Sequence, residues 1–176
     1  RVSVQTSIEM AVTDALTGLY NRRYMETHLG HLVEHSINRG KPLSALAIDV
    51  DFFKPVNDTH GHDVGDKVLQ ELAGRIRDNI RNVDMACRVG GEEFTIILPA
   101  TELHLAQKIA ERIRKSIASK PFSAGADGGT LNITVSVGLS TLMGANDKVE
   151  EFLKRADQAL YIAKREGRNR VTHIAA

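Results

Sequence analysis

The chain has one cysteine, Cys87, no tryptophan, and only 5% aromatic residues. A single thiol cannot close an internal disulfide, which excludes the disulfide-framework class of small secreted domains and fits a reducing, cytoplasmic setting. Long apolar runs are missing too. Segments such as Leu46 to Ile48 and Thr95 to Leu98 fall far short of the roughly 20 residues a membrane-spanning helix needs. No charge sign dominates: Lys plus Arg number 23 and Asp plus Glu 22, a formal net charge of +1. Bulk electrostatics therefore recruit neither nucleic acid nor an anionic membrane, although a small local anion site stays compatible with them. Signal peptide, internal repeat and low-complexity tract are also missing.

What remains is ordinary for a globular domain. Hydrophobic residues make up 42% and charged residues 26% of 176 residues. That length suits one domain, which buries roughly 70% of the surface its unfolded chain exposes and needs no disulfide or metal staple. Residues 1–12 are weakly helical and read as the end of an upstream connector helix, with the domain proper over 13–176. Because the chain starts at Arg1, not Met, we expect an excised domain whose upstream sequence is missing.

Residues Asp14 to Leu19 read as a structured loop. A helix is predicted from Arg22 to Asn38, stopped by Gly40 as a left-handed cap. Leu43 to Ile48 is apolar throughout and predicts a buried central strand. A polar stretch with turns follows from Asn57 to Asp63, then a helix from Val64 to Ile80 with Val68, Leu72, Ile76 and Ile80 on one stripe. Met85–Val89 and Glu93–Leu98 predict a hairpin around Gly90-Gly91. Glu102–Ser119 is a helix with Ala106, Ile109, Ala110, Ile113 and Ile117 inward. Leu131, Ile133, Val135 and Val137 alternate, predicting a half-exposed strand. A last helix carries Leu153, Ala156, Leu160 and Ala163 and ends at Gly167, before a short terminal strand over Val171–Ile174.

The order strand, helix, strand, strand, helix, strand predicts an α/β (α+β) fold with a ferredoxin-like or palm-type βαββαβ core. It is a split βαβ sheet of mixed, mainly antiparallel strands backed by two helices. In that topology the exit of the first core strand and the turn of the hairpin lie at the same sheet edge. Asp49-Val50-Asp51 sits at the first place and Gly90-Gly91-Glu92-Glu93 at the second. Converging carboxylates suggest a hard-cation site of the Mg²⁺ type, in which the ion keeps water and bridges to substrate phosphates. A pair of such ions suits in-line displacement at phosphorus. The glycines let backbone approach a base or phosphate closely.

Gly90-Gly91-Glu92-Glu93-Phe94 resembles the signature of GGDEF domains, the diguanylate cyclases, in its GGEEF form. The resemblance extends over about residues 13 to 172. Asp14-Ala15-Leu16-Thr17-Gly18-Leu19-Tyr20-Asn21-Arg22-Arg23 is similar to the family's opening block. Asp49 to Lys54 and Asn57 to Asp66 are similar to its D-x-D-x-F-K-x-x-N-D-x-x-G-H-x-x-G-D block. Ser136-Val137-Gly138, Ala156 to Lys164 and Gly167-Arg168-Asn169 are similar to its closing blocks.

The resemblance implies condensation of two GTP into cyclic di-GMP and two pyrophosphates. It implies two Mg²⁺ per active site, replaceable by Mn²⁺, ligated through Asp49, the Val50 carbonyl and Glu92. Glu92 or Glu93 would activate the 3′-hydroxyl. Asn57 and Asp66 would read the guanine edge, His62 would order their loop, and Lys164 and Arg168 would hold the β- and γ-phosphates. Glu at the third signature place keeps the carboxylate. Catalysis would need a homodimer, since one site holds one GTP while the product joins two guanosines reciprocally.

Arg81-Asn82-Val83-Asp84 matches the family's RxxD inhibitory site, where product binds; Arg112 is its expected second arm. Of Phe52 and Phe53, one packs in the core and one lines the nucleotide pocket; Phe53 stands as the candidate lining residue. His28, His31 and His35 share one helix and read as a solvated face. Cys87 reads as core filler. The basic run Lys164, Arg165, Arg168 and Arg170 lacks the aromatic platform of a nucleic-acid site and fits a triphosphate better. Two rival readings stay open: a GTP- or cyclic di-GMP-binding regulatory module without turnover, and a nucleotidyl cyclase of another class that shares the palm-like sheet.

Overall fold

The structure is a computed structural model that describes Val4 and residues 11–174. Most of the expected connector over 1–12 lies outside the described residues; Ala11 and Val12 are helical. The elements are β1 (Tyr20–Asn21), α1 (Arg22–Arg39), β2 (Leu43–Val50), α2 (Phe53–His60), α3 (His62–Asp78), β3 (Met85–Arg88) and β4 (Glu93–Pro99). They continue with α4 (Leu103–Ser119), β5 (Phe122–Ser123), β6 (Thr130–Leu131), β7 (Val135–Thr141), α5 (Val149–Arg165) and β8 (Val171–His173).

The main sheet is 6-stranded, in the order β1-β3-β4-β2-β7-β8. β2 pairs antiparallel with both β4 and β7, and β3 pairs antiparallel with β4. The four core strands therefore have the split βαβ topology that the sequence predicted, with β4 between the parallel β2 and β3. β1 and β8 extend the sheet by parallel pairing at either edge. β5 and β6 form a small separate ribbon.

Local chemistry sets the boundaries. Asn21 caps α1 by accepting from the Tyr24 N–H at 2.8 Å, which satisfies one of the orphan donors of a helix start. The same helix ends at Gly40 with φ 61, the left-handed cap expected there. Glu102 caps α4 by accepting from the His104 and Leu105 N–H groups, both at 2.8 Å.

The expectation for β2 holds, as every residue of it is buried. One face of the sheet packs Leu46, Ile48, Ile96, Leu98 and Val137 against Val68, Leu72, Ile76, Ile109 and Ile113 of α3 and α4. Each such side chain contributes about 1.5–3 kcal/mol on full burial. The other face packs Leu43, Ala45, Met85, Cys87 and Ile97 against Met25, Leu29 and Val33 of α1 and Phe152 of α5.

Two sequence expectations need correction. The two crossover helices, α3 and α4, back one face of the sheet as expected, and α1 and α5 cover the other. For that reason the strand expected to be half-exposed is buried over Val135–Ser140, and it starts at Val135. Leu131 belongs instead to the β5–β6 ribbon. Gly138 explains the close cover: a Cβ there would fall 2.1 Å from the Ala156 carbonyl oxygen and 2.2 Å from the Leu160 nitrogen of α5. The polar stretch after β2 is also helical. α2 accepts Pro55 because it falls in the first turn, where no intrahelical N–H is lost. Among the described residues no helix is long and apolar enough to cross a membrane.

Candidate active site

The ends of β2 and β4 meet as predicted. Asp49 lies directly opposite Glu93 in the ladder, and the Val50 N–H donates to the Glu92 carbonyl at 3.2 Å. Asp49 is 5% exposed. Its carboxylate accepts from the Lys164 ammonium, which reaches it from the last turn of α5. Burial raises the Asp49 carboxyl above the usual range; the lysine opposes that, and the Glu92 and Glu93 carboxylates add to it. Among the described residues, the side chains of Glu92 and Glu93 form no hydrogen bond or ion pair. Glu93 faces a cleft of about 280 Å³ that also exposes Asp157, Tyr161 and Lys164.

The hairpin that presents these acids is braced from outside. Arg88 donates to the Gly91 carbonyl from Nε at 3.0 Å and from a terminal nitrogen at 2.8 Å. The same guanidinium reaches Asp14 at 3.2 Å. Asp14 in turn accepts from the Thr17 N–H at 2.9 Å and its hydroxyl at 2.7 Å, and Arg22 donates to the Val89 carbonyl at 2.8 Å. The Asp14–Arg23 block thus serves as a clamp on the hairpin. Gly90 and Gly91 are not in the left-handed region, so backbone geometry does not demand glycine. A Cβ on Gly91 would meet no atom within 4 Å, leaving open approach to its backbone. At Gly90 a Cβ would fall 2.8 Å from Glu93 Oε2, so glycine there leaves room for that carboxylate.

Asp51, part of the expected acidic cluster, has a structural role. Its carboxylate accepts from Thr134 and Ser136 hydroxyls, each at 2.7 Å, and from the Asn169 N–H at 3.0 Å. This ties the loop after α5 to the end of β2.

Asn57 and Asp66 stand on α2 and α3, across the Gly61 turn. Asn57 is half-buried, Asp66 and His62 are exposed, and none of these side chains forms a hydrogen bond among the described residues. Gly65 fits under Asn57: a Cβ there would fall 1.9 Å from Asn57 Oδ1 and 3.2 Å from Phe53 Cζ. Phe53 is only 8% exposed and belongs to the main core, whereas Phe52 is 64% exposed. Of the two adjacent aromatics, Phe53 is thus the one that packs in the core, next to the contact of Gly65 with Asn57, and Phe52 is the exposed one. Arg168 lies with its Cζ 4.8 Å above the Phe52 ring centroid.

The Arg81–Asp84 turn lies at the opposite end of β3. The Asp84 side chain is fully buried and accepts from Arg81 three times, at 2.8, 3.1 and 2.7 Å. Arg81 also donates to the Pro99 carbonyl at 3.1 Å and the Thr101 hydroxyl at 2.7 Å. Beside the pair runs a cleft of about 310 Å³, lined in part by Gly18, Tyr20 and Arg77. Arg112 is anchored to the Asn79 carbonyl at 2.5 Å and lines a neighbouring groove with Lys108 and Lys115. The structure thus places it next to the turn without joining it to Arg81.

Reasoning from sequence missed Arg88, Asp157 and the pairing of Lys164 with Asp49. The position of Arg88 just before the glycine pair, and the Asp-x-x-Thr spacing of the loop it braces, were the available signals.

The chain matches the family model described as diguanylate cyclase, GGDEF domain, over residues 11–170. It is 51% identical over 176 residues to the response regulator PleD of Caulobacter vibrioides, covering 100% of this chain and 39% of the relative. It is 45% identical over 168 residues to diguanylate cyclase A of Treponema denticola, covering 94% of this chain and 45% of that relative. The chain therefore spans less than half the length of these curated relatives. Among solved structures it resembles the coiled coil and GGDEF domain of DgcB from Caulobacter crescentus, crystallised with c-di-GMP. That match has a TM-score of 0.91 and 32% identity, covering 96% of this chain and 88% of the other. The active GGEEF domain of a Vibrio cholerae diguanylate cyclase matches with a TM-score of 0.82 and 37% identity, covering 89% and 98%. With the signature hairpin, the clamp around it and the family match all on the same residues, the chain belongs to the GGDEF family, that of the diguanylate cyclase domains.

Proposed function

We propose that this domain condenses two GTP into cyclic di-GMP, releasing two pyrophosphates. The observation that carries the reading is the disposition of charge at the ends of β2 and β4. Among the described residues the Glu92 and Glu93 side chains have no partner, while buried Asp49 opposite them is matched by an ammonium. Such a site suits a cationic ligand. Among the described residues no three His, Cys, Asp or Glu side chains gather into a metal cage. A donor set of two carboxylates and a backbone carbonyl suits Mg²⁺ or Mn²⁺, which fill their remaining positions with water and phosphate oxygens. The lysine on Asp49 stands where positive charge belongs. Asp49, the Val50 carbonyl and Glu92 would hold the ions. Once bound, the ions neutralise charge on the transferring phosphoryl group.

The chain's own residues supply the rest. Asp66 accepts from the guanine ring N–H and amino group, and Asn57 pairs with the remaining edge, while His62 borders their loop. Lys164 and Arg168 hold the β- and γ-phosphates. Glu92 or Glu93 takes the proton from the 3′-hydroxyl. That oxygen bonds to the α-phosphorus of the second GTP as the bond to pyrophosphate breaks, and the step repeats in the reverse sense. Two copies facing across a two-fold axis provide the reciprocal geometry. Product binding at Arg81 and Asp84, with Arg112 alongside, would inhibit the enzyme. An upstream segment would set the pairing of domains in a cytoplasmic signalling protein.

The test is Mg²⁺-dependent formation of cyclic di-GMP and pyrophosphate from GTP, with specific activity rising with enzyme concentration. Tight nucleotide binding without pyrophosphate release would assign a regulatory module instead. Turnover of ATP as fast as GTP would overturn the guanine assignment.

A further inference from the structure

Phe52 is in an unfavourable place for its type. It has φ 55 and ψ 37, a left-handed conformation that bulky side chains avoid, and it is the cap residue of α2 without any side-chain capping bond. Asn would both tolerate the conformation and cap the helix. Phe does neither, and it stays 64% exposed. Arg168, above its ring, also has a left-handed φ of 65, as does Asn169 at 47. The two strained segments are fastened side by side: Asp51 accepts from the Asn169 N–H at 3.0 Å, and the next residue on the first segment meets the previous one on the second. Strain of this sort persists where the surroundings fix it, and it concentrates at functional sites.

The contact also leaves the arginine's chemistry open. Arg88, Arg114 and Arg155 direct their guanidinium N–H groups at carboxylates or carbonyls. Among the described residues the Arg168 guanidinium donates no hydrogen bond and joins no ion pair. A ring beneath the guanidinium plane fixes that plane while its in-plane N–H groups stay free. The rim holds Lys164 as well, one turn back, where the Arg168 N–H closes the end of α5 on the Ala163 carbonyl at 2.9 Å.

We propose that Phe52 is a positioning residue: its ring holds the Arg168 guanidinium with its donors free to meet the polyphosphate of the nucleotide. This rests on the reading of Arg168 as a phosphate-binding group. Because freezing an arginine before binding removes part of the ordering cost, Phe52 should matter to triphosphate affinity and not to guanine recognition.

The experiment compares Phe52→Asn, Phe52→Tyr, Arg168→Ala and the Phe52→Asn/Arg168→Ala double variant in the 176-residue chain. Binding of a non-hydrolysable GTP analogue and of GMP is measured by calorimetry, and stability by thermal unfolding. Phe52→Asn is expected to raise Tm, because it relieves strain and adds a cap, yet weaken the triphosphate analogue about two- to fivefold, the strength of an exposed cation–π contact. GMP affinity should stay within the error, and Phe52→Tyr should bind the analogue as the parent does. In the Arg168→Ala background, Phe52→Asn should have no further effect. Unchanged analogue affinity in Phe52→Asn, an equal loss for GMP, or the same loss with and without Arg168 would each overturn the proposal. If Arg168→Ala itself leaves analogue binding unchanged, the phosphate role of Arg168 falls and the proposal with it. If Arg168→Ala weakens binding while Phe52→Asn does not, only the proposal falls.

Discussion

Before β3, the Asp84 carboxylate is closed off from solvent and accepts three hydrogen bonds from Arg81; beyond the other end of the same strand, the side chains of Glu92 and Glu93 accept none among the described residues. Both places carry the acidic and basic residues that the sequence marks out, and they differ in whether the protein has already matched the charge. A matched pair stabilises its turn, and a ligand arriving there must share or displace existing bonds. Unmatched carboxylates add nothing to the fold and keep their full capacity for a cation. The comparison assigns a structural share to the first site, and little but chemistry to the second.

The largest expected effect belongs to the unmatched end. Glu92→Gln removes a proposed metal ligand at almost constant size and breaks no side-chain hydrogen bond or ion pair among the described residues. Turnover is expected to fall by at least about a hundredfold, on the scale of losing a group that stabilises transition-state charge, with Tm unchanged. Cyclic di-GMP formation and thermal unfolding measured on the same sample provide the check. Near-parental turnover in a folded sample would dissolve the contrast between the two ends.

Arg81→Ala should behave differently, with effects of two kinds. Loss of a charge-assisted contact worth about 1.5–3 kcal/mol weakens product inhibition by roughly ten- to hundredfold while catalysis continues. The same change removes two of the three donors to a buried carboxylate, leaving only the backbone N–H of that position, at a cost of about 1–3 kcal/mol. At about 2–4 °C per kcal/mol for a domain of this size, Tm should drop visibly. Relief of inhibition with no loss of stability would show that the Arg81–Asp84 pair carries no structural share.

Much of this contrast was legible in the sequence, and unevenly so. The apolar run before Asp49 identified β2 as a central strand, and the glycine pair placed the hairpin; topology alone then brought Asp49 to Glu93. The two-sided burial of β7 was not legible, because alternation over Leu131–Val137 looks the same whether or not a helix covers the second face. Only the contact of Gly138 with the α5 backbone reveals it. Adjacent Phe52 and Phe53 could not be told apart, since the chain turns between them and neither strand nor helix periodicity spans the junction. The pairing of Lys164 with Asp49 joins residues distant in sequence that come from the facing ends of a helix and a strand, and no local pattern marks it.

The smallest effects test whether matched and unmatched carboxylates differ in what they contribute to the fold. Asp147, before α5, is the matched case. Its side chain is 5% exposed and accepts from Arg155 at 2.5 and 3.0 Å and from the Met143 and Lys148 N–H groups at 3.0 and 2.9 Å. The Arg155 hydrogen bond holds the carboxyl below the usual range, and the two backbone donors lower it further against the opposing pull of burial. A lowered folded value means that the stabilisation is present above the ordinary aspartate range and is lost as pH falls through the folded value. Asp147→Asn should therefore cost about 1–2 kcal/mol at pH 7, seen as a Tm lower by about 2–8 °C, with the deficit shrinking toward zero as pH falls through the lowered folded value. Glu93→Gln, the unmatched case, should stay within about 0.5 kcal/mol of the parent at pH 7, as substitutions away from buried partners do. Thermal unfolding of both variants from pH 7 down to the acid limit measures the difference. A deficit in Asp147→Asn that persists unchanged into acid would mean that packing, not charge, holds the loop before α5. An equal deficit in Glu93→Gln would mean that the hairpin acids serve the fold after all.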